Sequence, residues 1–245
     1  MSPRPPPLVT TEPMRFDLYL ESGPRHRKTM VHVLALPGCI ATGPTTEEAI
    51  EHAPAAIWAR LEFLRRHGEP AGDPGPLELV VAEHVTEGFW LGNGAAFFGP
   101  DREPLGSEEA RRQVTWMAWS REELIAVARA QPGALADAPA GGGRTVGAIL
   151  HHVADAERSY FNSMLGSVPG LSAAVTAVER AGDEIWEPLA QARGLIVERL
   201  ALMTDEELAR LVRKGGEPRS TRRMLRRMLE HEWEHVLELR ARLEV

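Results

Sequence analysis

The hydrophobic period of this chain changes once along its length, and that change constrains the fold more than any single motif. FDLYLE (16–21) and TMVHVLAL (29–36) are short alternating or apolar runs separated by SGPRHRK, which predicts two strands and a connecting turn. Ala49, Ile50, Ala53, Ile57, Leu61 and Leu64 then recur at helical spacing behind Thr45 or Thr46 and an acidic first turn, until Gly68 stops the helix. Another strand is expected at LELVVAEHV (77–85). The order strand, strand, helix, strand predicts an α+β layer with the helix covering one face of the sheet.

From about residue 106 the alternation disappears. Glycine and proline in GNGAAFFGPDREPLGS mark a connection, and four long helical segments follow, at about 107–130, 145–165, 172–203 and 220–243. QPGALADAPAGGGR, GSVPG and the stretch from TDEELARL into VRKGGEPRS separate them. The third segment is expected to be interrupted near Glu187-Pro188 and Gly194, because a proline inside a helix removes a hydrogen bond and clashes with the preceding turn. Four helices with medium loops predict an all-α four-helix bundle, an architecture in which metal sites form from side chains facing inward on neighbouring helices. The expected organisation is a disordered proline-rich tail (1–14), an α+β domain (15–98), a linker (99–106) and the bundle (107–245).

Composition narrows the function classes. No apolar run approaches the roughly 18 residues of a membrane span, and MSPRPPPLVTTEP has prolines where a signal peptide needs an apolar block, so a cytoplasmic protein is expected. The single cysteine, Cys39, excludes an intrachain disulfide and a thiolate cluster, which leaves histidine and carboxylate to build any metal site. A net charge of −7 argues against general nucleic-acid binding. The charge is uneven, however: Arg213, Lys214, Arg219, Arg222, Arg223, Arg226 and Arg227 cluster against a single acidic residue, Glu217. Since Arg226 and Glu230 lie four apart, one reading is a solvated, salt-bridged helix start. Arginines in the opening turns of a helix oppose its dipole, so the other reading is a bound anion, with Arg222, Arg223 and Arg226 as its candidate contacts.

Of nine histidines, those at 26, 32, 52, 67 and 84 show no metal spacing. His231 and His235 do: four apart on a helix, they project from one face and can share an ion at roughly 2.0–2.1 Å for zinc. They also complete HEWEH, the HExxH pattern of zinc peptidases, but only ten residues follow His235. That leaves no room for a downstream ligand or a substrate-presenting strand. A third ligand must come from elsewhere in the helical half, where the remaining histidines are His151 and His152. His151 falls beside Asp155, Arg158 and Asn162 on the expected wet side of its helix. His152 falls beside the small residues Thr145, Ala148, Ala156 and Ser159, which leave space for an ion or a neighbouring helix, and is the preferred ligand. Glu157 and Glu232 sit on apolar faces, where a carboxylate needs a partner. They are candidates for orienting the histidines or moving a proton beside the metal, or else for internal salt bridges to arginine.

Two family resemblances follow from these residues. LPGCIATGPTTEEAI, between a strand and a long helix, resembles the HicB-like antitoxin domain over about residues 15–90. The resemblance implies a small dimerising module that in antitoxins masks a toxin ribonuclease, so a homodimer is expected and a toxin is a conceivable partner. GRTVGAILHHVADAERSYF, followed by the His231/His235 pair in STRRMLRRMLEHEWEHVLELRARL, resembles the DinB-like four-helix bundles over about 107–245. This resemblance implies that His152, His231 and His235 form a divalent-metal triad, with zinc or nickel as the ion. It also implies a metal-dependent transferase acting with a low-molecular-weight thiol such as mycothiol or bacillithiol, or a hydrolase, on a small-molecule substrate. The Arg-Gly-Gln common after the second histidine of the pair is replaced here by Val236-Leu237-Glu238. The competing expectation is a non-catalytic regulatory or antitoxin-like protein whose metal is structural. A fourth protein ligand would favour that reading, and a solvent-filled fourth position would favour catalysis.

Overall fold

The computed structural model describes residues 12–23, 28–71, 75–86, 96–130, 133–138 and 142–244. Most of the expected proline-rich tail and the centre of the SGPRHRK turn lie outside the described residues.

The first region is α/β with a mixed sheet. Strands β1 (Met14–Ser22), β2 (Thr29–His32) and β3 (Ile40–Gly43) precede helix α1 (Thr46–Arg66), and β4 (Leu77–Val85) follows it. The sheet order is β3-β2-β1-β4, with β1 antiparallel to β2 and parallel to β4. The strand β3 corrects the expected order, since it lies inside the LPGCIATGP phrase, where four residues are too few to show alternation. Two glycines explain that phrase. Gly38 has φ +90°, and a Cβ there would stand 2.6 Å from the Arg60 guanidinium. At Gly43 a Cβ would collide with the Ala49 amide, so glycine lets β3 end directly against the start of α1. Arg60 in turn is fully buried and donates from Nε and Nη2 to the Pro37 carbonyl at 3.1 and 2.9 Å.

The second region is helical. It contains α2 (Ser107–Arg129), α3 (Val146–Leu165), α4 (Leu171–Arg180), α5 (Trp186–Leu200), a short α6 (Asp205–Leu208) and α7 (Thr221–Leu243). The expected helix 172–203 is two helices. The break falls at 181–185, earlier than expected, because Gly182 takes a left-handed φ of 52° that turns the chain. Pro188 sits in the first turn of α5, where its missing N–H costs nothing, and Gly194 stays helical. The expected loop before the last helix contains a hairpin, β5 (Leu211–Lys214) and β6 (Glu217–Ser220), turned by Gly215 and Gly216 at φ 61° and 86°. Its strands are short and mostly exposed, so no burial pattern announced them.

Helix α7 is the centre of the molecule. Ser220 caps it by accepting from Arg223 N, α2 and α3 pack on it, and the α/β region covers another side. Trp233 of α7 is 2% exposed, its ring 4.7 Å from that of Phe63 on α1, with Arg60 over both rings. Arg226, Arg227 and Glu230 are therefore buried, which corrects the expectation of a solvated helix start. The pairing expected from their spacing is present: Arg226 Nη1 donates to Glu230 Oε2 at 3.0 Å. Arg226 also donates to Asp101 at 2.7 Å, reaching the 3-10 turn at Gly99–Arg102 that connects the two regions. Among the described residues no helix is long and apolar enough to cross a membrane.

Candidate metal centre

Helix α3 starts where the Thr145 side chain accepts from Ala148 N, and its apolar stripe of Val146, Ile149, Leu150 and Val153 is buried. That burial fixes the rotation of the helix and turns His152 toward α7. On α7, His231 and His235 stand one turn apart on the facing side. The Nε2 atoms of His152 and His231 are 3.1 Å apart, and one ligand atom from each of the three histidines falls within 4.8 Å of the others. Three nitrogens at roughly 2.0–2.1 Å from one ion stand about 3.3 Å from each other, close to the His152–His231 separation.

The protonation states suit ligation. Burial, then His235 and Arg227, pushes His231 down to about 2. Burial, then Arg144 and His235, pushes His152 down to about 4. Both rings are consequently neutral at pH 7, the form a metal requires. His235 Nδ1 lies 2.7 Å from Glu238 Oε2, and Nδ1–H donation there leaves Nε2 as the ligating atom. Glu238 is held in turn by Arg242, whose Nη1 donates to the Arg144 carbonyl at 2.8 Å and ties the end of α7 to the start of α3. Glu238 is a site residue that sequence reasoning passed over. Its signal was the three-residue spacing from His235, which brings the two side chains onto one face. Tyr160 also borders the site, its ring edge-on to His231 at 6.0 Å between centroids.

Glu157 and Glu232 belong to a different arrangement. Arg121 of α2 donates to Glu232 and, at 3.1 Å, to Glu157; Arg193 of α5 donates to Glu232 and lies 3.0 Å from Glu157. All four residues are buried. Burial alone would raise Glu232, but Arg121 and Arg193 outweigh it and hold the carboxyl below its usual range. Of the readings left open for these glutamates, the internal salt bridge to arginine is the contact observed. The square ties α2, α3, α5 and α7 together behind the histidines. The candidate anion contacts are also engaged: Arg222 with Glu109 and the Glu103 and Pro104 carbonyls, Arg226 with Asp101 and Glu230, and Arg223 with the Ala96 carbonyl at 2.9 Å.

The family model of the DinB superfamily matches residues 116–239, just over half of the chain. That span contains the three histidines and all four members of the arginine–glutamate square. No curated protein and no solved structure matches the chain.

Proposed function

The chain belongs to the DinB superfamily, and we propose that His152, His231 and His235 hold a divalent ion, zinc or nickel, at a catalytic centre on the α3–α7 seam of a four-helix-type bundle. The observation that carries this reading is the convergence of three imidazoles, one of them oriented by a carboxylate, from two helices of the matched span. Such an ion supplies Lewis acidity, lowering the pKa of water or of an incoming low-molecular-weight thiol in a fourth position. The reaction class is thiol transfer or hydrolysis on a small-molecule substrate. The protein's own part is positional: Glu238 sets the His235 tautomer, and the Arg121–Glu232–Glu157–Arg193 square keeps α3 and α7 in register. Elemental analysis of purified protein tests the ligand set. One equivalent of metal is expected, lost in His231→Ala; unchanged metal in that variant would exclude the triad.

A second reading rests on the α/β region. The outer edge of β4 is unpaired among the described residues, and its Val81 is 48% exposed. In this reading the HicB-like region pairs through β4 into a homodimer or grips a protein such as a toxin, and the metal is structural. Light scattering on wild type and Val81→Lys distinguishes the two. A dimer that the substitution dissociates supports the second reading, and a monomer at all concentrations removes its dimeric form.

A further inference from the structure

The basic residues around the start of α7 are divided by helical periodicity between two faces. Arg222 and Arg226 fall on one side, where Glu109 of α2, Asp101 of the connecting turn and Glu230 of α7 neutralise them. Arg219, Arg223 and Arg227 fall on the other side and line a small pocket of about 140 Å³, together with Ser163 and Tyr160 of α3. Arg227 is shared with Glu230 at 2.7 Å, and the one carboxylate among the described residues lining the pocket, Glu217, is largely exposed beside Arg219 at 3.9 Å. Arg223 differs from the rest. It reaches the Ala96 carbonyl and lies 6.0 Å from the Phe97 ring, but its Nη2 is buried with no hydrogen-bond partner among the described residues. A buried guanidinium N–H without an acceptor is costly, and an anion removes that cost.

The pocket's position gives it a function. His152, Ser159 and Ser163 lie at i, i+7 and i+11 on α3, while His231, Arg227 and Arg223 lie at i, i−4 and i−8 on α7, so the metal centre and the pocket share one seam between antiparallel helices. Tyr160 borders both. At a rise of about 1.5 Å per residue, the pocket begins roughly 6 Å from His231 and extends to roughly 12 Å.

We propose that this pocket receives an oxyanion of the substrate, a carboxylate or a phosphate, while the reacting end of the same molecule lies at the metal centre. The proposal rests on the metal reading for its second half only. A pocket of about 140 Å³ has room for such a group, so the substrate is an acid with its oxyanion roughly 6–12 Å from the reacting atom.

Calorimetric titration of the metal-loaded protein with inorganic phosphate and, separately, with propionate tests the pocket, at ionic strength matched with chloride. Arg223→Gln should weaken binding at least about tenfold, as loss of a charge-assisted hydrogen bond does. Ser163→Leu, which fills the pocket and leaves every arginine in place, should do the same and guards against a misfolded Arg223 variant. His231→Ala, with its metal content measured alongside, should retain the anion. A preference for phosphate identifies the substrate as a phosphate ester, and a preference for propionate identifies it as a carboxylic acid. Undiminished binding in both Arg223→Gln and Ser163→Leu, or no binding beyond chloride by wild type, overturns the proposal. Binding lost in His231→Ala but kept in Arg223→Gln places the anion on the metal, which also overturns it while sparing the metal reading. Metal retained by His231→Ala with anion binding intact removes the metal reading and spares the pocket. Mercaptoalkanoates of increasing length then test the span: affinity should peak at an intermediate length in wild type and lose that peak in Arg223→Gln, and a flat series would refute the shared substrate.

Discussion

His32 Nδ1 lies 3.0 Å from Glu230 Oε1, a fully buried contact between residues 198 apart in sequence. The other ring nitrogen lies 3.5 Å from Glu21, and the Glu230 carboxylate also accepts from Arg226 and Arg227. A charged seam thus joins the sheet to α7 one residue before His231. Burial alone would raise Glu230, but Arg226, His32 and Arg227 outweigh it and hold the carboxylate far below its usual range.

Cutting this seam on one side should be severe. Glu230→Ala leaves Arg226 and Arg227 buried with less counter-charge, so a loss of about 3–5 kcal/mol is expected in denaturant unfolding. A loss within experimental error of zero would show that the seam contributes nothing to stability.

The arginine–glutamate square makes a sharper prediction, because it is balanced. Arg121→Met alone should cost about 3–5 kcal/mol by leaving two carboxylates with one arginine. Adding Glu232→Leu restores neutrality and should recover part of that loss, a coupling of about 0.5–3 kcal/mol in a double-mutant cycle. Strict additivity would refute the square as an energetic unit.

Removing the orienting carboxylate should affect metal more than fold. Glu238→Ala is expected to weaken metal affinity by roughly 10–100-fold in chelator competition, with a small change in stability. Unaltered affinity would mean that His235 needs no help with its tautomer.

The histidines also predict a pH dependence. His231 and His152 titrate near about 2 and about 4 in the folded chain, against 6.5 as the ordinary value. Unfolding therefore takes up protons below pH 6.5: the metal-free protein has full stability above that pH and loses it as pH falls toward 4. The unfolding midpoint should decline more steeply over this window in wild type than in the His152→Ala/His231→Ala double variant. Parallel declines would assign the acid sensitivity to other groups.

Local rules reached α1 and β4, the rotation of α3 and the four-residue spacing of His231 and His235, because each depends on neighbours a few positions away. The same spacing separates Arg222 and Arg226 from Arg223 and Arg227, so the two arginine faces were latent in the sequence. What covers each face was not. Periodicity shows which side of a helix is apolar, yet it cannot show that α7 would be enclosed on its charged side as well, by Asp101 and by His32 from the sheet. Nor could it supply the partners of Glu232, which are Arg121, 111 residues away, and Arg193, 39 away. Glu157 and Glu232 showed in sequence that buried carboxylates needed compensation. Only the packing of α2 and α5 against α3 and α7 decided that two arginines would provide it, because ion pairs over such separations form when the whole chain closes.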